Sequence, residues 1–274
     1  MVEWLLEPFQ YGFMLRALWA TLLVGVVCSV LGTYVVLRGM AFFGDALAHT
    51  ILPGVVVAFL LGLPLTLGAL VMGVVTAIGI GALSQHDVLK EDTAIGIIFA
   101  GLFALGVAML SATGNYTVDL THFLFGNLLG VSMTDLGVMS VLGVGVLMTI
   151  GLFYKEFLVI SFDLTLATTM QLPVRFLQYL LLVLLAVTVV VALQVVGIAL
   201  MVAMLVTPAA AASLLTKRLS TMMVLSAGIG VLAGIIGLYS SYYLDIASGP
   251  AVVLAATGLF GLALVGSRAL PQIE

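Results

Sequence analysis

An all-α, polytopic bundle of eight or nine transmembrane helices is the fold that this sequence predicts, and three observations carry the prediction. Of its 274 residues, 64% are hydrophobic and only 7% charged, whereas a soluble domain carries about 25% charged residues. The mean hydropathy is +1.36. Apolar runs of about 20 residues, the length that crosses a bilayer, recur along the whole chain. A chain of this length has room for roughly eight to ten such spans and no second soluble domain, so residues 1–274 read as one transmembrane domain.

In chain order, the apolar runs place spans at 13–37, 45–62, 65–85, 93–112, 132–153, 174–192, 195–215, 220–239 and 250–268. The first run ends at Arg38 and the second carries Asp45, His49 and Pro53. Lys90 lies between the third and fourth, Lys155 follows the fifth, and Arg175 opens the sixth. Lys217 and Arg218 close the seventh, and Arg268 the ninth. Lysine and arginine favour the cytoplasmic side. An outer amino terminus puts all of these cations inside and leaves only Arg16 outside, so the carboxyl terminus is expected in the cytoplasm. The net charge of −4 adds little, because the charges fall in loops on opposite sides.

Cys28, the single cysteine, lies within an apolar run, which excludes an internal disulfide framework and a thiolate-rich metal cluster. It reads as core filler. Val26 and Val27 are too bulky for a lipoprotein cleavage site, and Glu3 and Glu7 stand where a signal peptide carries lysines, so the amino terminus is expected to be retained.

Two segments between spans exceed the short turns elsewhere, and long loops in compact proteins tend to be functional. The outer one, 113–131, reads TGNYTVDLTHFLFGNLLGV. The inner one, 154–173, reads YKEFLVISFDLTLATTMQLP. There Asp163 can cap a short helix, and Phe162, Leu164, Leu166, Met170 and Leu172 supply an apolar surface beside water. Docking onto a cytoplasmic partner and lying against lipid headgroups both fit that pattern. Small faces for helix packing are offered by Gly126 with Gly130, Gly230 with Gly234, and Ala209 to Ala212. No internal repeat is visible.

An aspartate at the centre of a span costs about 2.5 to 3.5 kcal/mol on insertion scales, so ionisable groups there need a reason. The stretch GDALAHTILPG sets Asp45 and His49 four residues apart on one helical face. Carboxylate and imidazole both ligate zinc or manganese. Pro53 has no N–H for the carbonyl of His49, which leaves that oxygen open to water, a neighbour or an ion. A structural reading stands beside this one: Arg38, two turns ahead, neutralises Asp45 while His49 bonds to a neighbouring helix. Asp119 and His122 form a second carboxylate and imidazole pair on the outer segment, which could receive a metal cation on an outer path or gate or cap a helix. His86, Asp87, Glu91 and Asp92 read as structural, the acids favouring a helix start.

The chain has no Gly-Lys dipeptide, so it lacks the phosphate-binding P-loop and is not itself an ATPase of that kind. It has no sequence-clustered Ser/His/Asp set and no basic stripe for nucleic acid.

Several stretches together resemble the membrane permeases of ATP-driven zinc and manganese importers, the metal-uptake ABC transporters. They are LRGMAFFGDALAHTILPG at 37–54, EDTAIGIIFAGLFALG at 91–106, LTHFLFGNLLGV at 120–131, VGIALMVAMLVTPAAAASLL at 196–215 and GLYSSYYLDIASGPAVVL at 237–254. The resemblance implies a bacterial plasma-membrane protein working by alternating access as a homodimer around a central path. It also implies two cytoplasmic ATPase subunits and an external metal-binding protein. The transported substrate is Mn2+ or Zn2+, with no permanently bound cofactor. Asp45 and His49 fall on the motif linked to the metal path. The coupling helix falls around Ser161 to Pro173, with Phe162, Asp163, Leu164 and Leu166 facing the ATPase. Thr165 and Gln171 depart from the pattern, where proline or an acidic residue and glycine are expected. The competing classes are a gradient-driven carrier or channel, in which Asp45 exchanges protons with the metal, and a non-transporting scaffold or sensor.

Overall fold

The computed structural model describes residues 7–84, 90–112 and 128–269, and it is helical throughout these stretches. Among the described residues twelve α-helices follow one another: α1 Gly12–Leu37, α2 Phe43–Thr50, α3 Leu52–Leu60, α4 Leu65–Ser84, α5 Glu91–Ala112, α6 Met133–Leu152, α7 Tyr154–Phe162, α8 Leu164–Thr169, α9 Val174–Val196, α10 Ile198–Leu215, α11 Leu219–Leu244 and α12 Ser248–Ala269. Among the described residues nine segments are long and apolar enough to cross a membrane, with α2 and α3 together forming the second. These match the nine runs expected from hydropathy. The second is split at Ile51, two residues before Pro53, because proline cannot continue the hydrogen-bond ladder.

The chain divides into two compact units. The first is built from the described residues of Met1–Val36, Thr121–Gly145 and Val195–Glu274. In it α10, α11 and α12 pack on one another, and α1 is held to α10 and α11 through small residues. A Cβ on Gly230 would stand 2.7 Å from the Gly25 carbonyl oxygen, nearer than a real Cβ comes, so the two helices approach at a distance that glycine allows. Gly234 presses on Thr21, and Ala209, Ala211 and Ala212 are fully buried, so these predicted small faces are packing surfaces. Gly126 lies outside the described residues.

One polar bracket ties this unit together. Pro208, inside α10, cannot donate to the carbonyl of Met204 one turn earlier. The hydroxyl of Ser29 on α1 donates to that carbonyl instead, at 3.4 Å, and the hydroxyl of Ser226 on α11 donates to the carbonyl of Ser29 at 2.9 Å. In lipid a freed carbonyl needs such a partner from the protein.

The second unit comprises the described residues of Leu37–Leu120 and Val146–Gln194. Its helices α2, α3, α4 and α5 pack together, and α4 packs on α9 with Gly73 against Val190 and Gly81 against Tyr179. The α3–α4 turn is short for a local reason. Gly62, at φ +67°, lets the N–H of Leu63 reach back to the carbonyl of Ala58 at 2.9 Å, and Pro64 then precedes α4. The resulting hairpin sets the Gly54 and Gly68 backbones against each other.

Candidate metal path

On α2 every residue is buried except Asp45 and His49. Four residues apart, they occupy one face, and Asp45 Oδ1 lies 3.9 Å from His49 Nε2. The Asp45 side chain is 48% exposed and that of His49 29%, so both remain open on the face that the rest of the helix turns away from. The imidazole is braced by α5: its ring centroid is 5.5 Å from that of Phe103, edge-on, and 5.9 Å from that of Phe99, and the two phenyl rings stack at 5.8 Å. Beyond His49 the helix breaks at Ile51, and Pro53 offers the His49 carbonyl no N–H.

The neutralising role expected for Arg38 is overturned. Arg38 forms its ion pair with Glu91, the first residue of α5, and not with Asp45. Among the described residues His49 is then the sole ion-pair partner of Asp45. Among the described residues, what His49 meets on the neighbouring helix is two phenyl rings.

No group of three or more His, Cys, Asp and Glu side chains comes together among the described residues. Asp45 and His49 therefore offer one hard oxygen donor and one borderline nitrogen donor, short of the four ligands of a closed structural zinc site. Such an incomplete set can strip part of a cation's hydration shell and still release it. Asp119 and His122 lie outside the described residues, as do His86 and Asp87.

The inner segment forms α7 and α8, with Asp163 between them in extended conformation. Its Oδ1 accepts from the N–H groups of Thr165 at 2.8 Å and Leu166 at 3.0 Å, which caps α8. Ala167 is buried, while Phe162, Leu164, Leu166 and Met170 are exposed and Leu172 is half-buried. Gln171 takes φ +57°, the left-handed conformation that usually draws glycine to the end of a helix. Leu172 N–H reaches the Ala167 carbonyl at 3.1 Å, closing the turn.

Two features escaped the sequence: the phenyl wall behind His49 and the Arg38 to Glu91 pair. The one available signal was the spacing of Phe99 and Phe103, which at four residues share a helical face.

The ABC 3 transport family matches residues 10–267. The manganese transport system membrane protein MntC of Halalkalibacterium halodurans is 48% identical over 257 residues, covering 94% of this chain and 88% of the relative. The chelated iron transport system membrane protein YfeD of Yersinia pestis is 40% identical over 265 residues, covering 97% and 89%. The solved structure of PsaBC from Streptococcus pneumoniae in complex with Fab superposes with a TM-score of 0.82 at 40% identity, over 96% of this chain and 95% of that one. This multi-pass chain of the bacterial plasma membrane belongs to the ABC 3 transport family.

Proposed function

We propose that this permease carries a divalent transition metal, manganese or zinc, into the cell along the face formed by Asp45 and His49. The observation that carries the reading is a carboxylate at the start of a span with no arginine or lysine paired to it among the described residues. Asp45 stands half exposed beside an imidazole, and its nearest cation in sequence is held by Glu91. In a low-dielectric setting such a charge calls for a cation, and the transported ion supplies it. Relatives named for manganese and for iron share the family, and a mixed oxygen and nitrogen donor pair suits any of these metals.

In this reading a second copy of the chain completes the path, so that two Asp45 and His49 pairs meet the ion without a closed shell. The amino terminus faces outward, as the distribution of lysine and arginine favours, and an external metal-binding protein delivers the ion there. Asp119 and His122 belong to that outer approach. ATP is hydrolysed on separate cytoplasmic subunits, and the α7–α8 junction docks on them through Phe162 at the end of α7 and Leu164 and Leu166 of α8, held in shape by the Asp163 cap. ATP binding and release then bias the bundle between outward-open and inward-open states. Membership of an ABC family favours this over a gradient-driven carrier, for which no separate observation speaks.

The test is accumulation of radioactive manganese and zinc by metal-depleted cells carrying the parent permease, Asp45→Ala or His49→Ala at matched membrane abundance. Loss of uptake in both variants is expected, and the isotope retained by the parent names the cargo. Parental uptake in both variants would remove this face from the path.

A further inference from the structure

The pairing of α2 with α5 has two ends. At one, His49 rests on Phe99 and Phe103, and Leu52 fills the space over Gly106, so the second span and α5 run side by side in the same direction. At the other, where both begin, Arg38 is bound to Glu91. The Arg38 side chain is only 6% exposed, and its Nη1 has no hydrogen-bond partner among the described residues. This guanidinium is the cation nearest in sequence to Asp45, and the next are Arg16 and Lys90.

A buried guanidinium without its carboxylate must find another, because an unpaired charge away from water is costly and opposite charges attract strongly there. In sequence the carboxylate nearest to Arg38 is Asp45, seven residues on, the one that this reading assigns to the metal. We propose that Glu91 is a positioning residue for metal transport: by holding Arg38, it keeps the guanidinium off Asp45 and leaves that carboxylate open to the divalent cation. The inference rests on the reading of Asp45 and His49 as metal ligands. It gives the acid at the start of α5 a task beyond favouring the helix N-terminus, which Asp92 beside it also serves.

The test uses the permease purified with its ATPase subunits, without the external binding protein, and follows the electron paramagnetic resonance signal of free manganese(II), which falls as the ion binds. Glu91→Gln keeps the shape of the side chain and frees Arg38. It is expected to weaken manganese binding by about tenfold, a change equal to the strength of one good charge interaction, and to slow uptake per permease in cells. Adding Arg38→Met to Glu91→Gln removes the competitor and is expected to restore both to within about twofold of the parent.

A purely structural role gives a different pattern, in which Glu91→Gln lowers abundance or melting temperature and leaves manganese affinity unchanged. That result overturns the proposal, as does a double variant as weak as Glu91→Gln alone. A parent complex that binds no manganese, or Asp45→Ala and His49→Ala variants that bind it like the parent, overturns the site reading beneath it. Loss of binding in those two variants with parental affinity in Glu91→Gln sinks the present inference alone.

Discussion

Gly54 and Gly68 bring α3 and α4 so close that a single methyl group cannot be added to either. A Cβ on Gly68 would stand 2.6 Å from the Ala58 Cβ, and on Gly54 it would stand 2.5 Å from the Met72 Cβ, with the opposing glycine carbonyl nearer still in each case. Ordinary van der Waals contact begins at 3.4 Å and the opposing carbonyl oxygens lie at 2.2 and 2.3 Å, so either alanine must drive the backbones apart by about 1.1–1.2 Å, and no flexible side chain is there to yield. Overpacking of this kind costs about 1–3 kcal/mol, and alanine recovers up to about 1 kcal/mol in helix propensity. A net loss of about 1–2 kcal/mol is expected for each. Because both methyl groups press on one contact, the double variant should lose less than the sum of the two, by at least about 0.5 kcal/mol. The assay is unfolding of the purified protein in mixed micelles of rising dodecyl sulfate content, followed by circular dichroism. Gly258→Ala, whose Cβ meets nothing within 4 Å, serves as the control. Gly68→Ala unfolding together with the control, or strict additivity of the pair, would refute the close-approach argument.

Three further outcomes follow from particular contacts. Asp163→Ala removes the acceptor for two N–H groups of α8 and should cost about 1 kcal/mol. If α8 docks on the ATPase, the variant also reduces the ATPase recovered with the permease, and retention at parental yield would argue for a headgroup-bound helix. Gln171→Gly relieves a left-handed residue at φ +57° and should stabilise the protein by about 0.5–1 kcal/mol, read as a higher melting temperature. Ser29→Ala strips the hydroxyl from the Met204 carbonyl and should cost about 1 kcal/mol. In a Pro208→Ala background the helix itself satisfies that carbonyl, so the same micelle titration should show the cost of Ser29→Ala largely gone.

The spans were legible because in lipid one property, a run of apolar residues, decides them. The break at Ile51 could be anticipated from Pro53, and the α8 cap from Asp163, since both act within four residues of themselves. Partners across the bundle could not. A helix with apolar residues all round carries no stripe to show which face is buried, so nothing local reveals that Gly54 meets Gly68, or that Ser29 covers a carbonyl freed by Pro208. The same limit misdirected Arg38. Proximity in sequence points to Asp45, seven residues on, whereas the fold supplies Glu91, fifty-three residues away. Asp45 and His49 stood out because charged and polar groups are expensive in a span, and that cost marks a position without naming its neighbours.

The most direct test of the metal path is pulsed electron paramagnetic resonance of manganese bound to the purified permease and ATPase complex. An imidazole ligand imprints a nitrogen hyperfine coupling on the metal. The parent is expected to show that coupling, Asp45→Asn to keep it with weaker binding, and His49→Ala to lose it. Nitrogen coupling of unchanged strength in His49→Ala would contradict the assignment of His49 as a ligand and with it the path along α2.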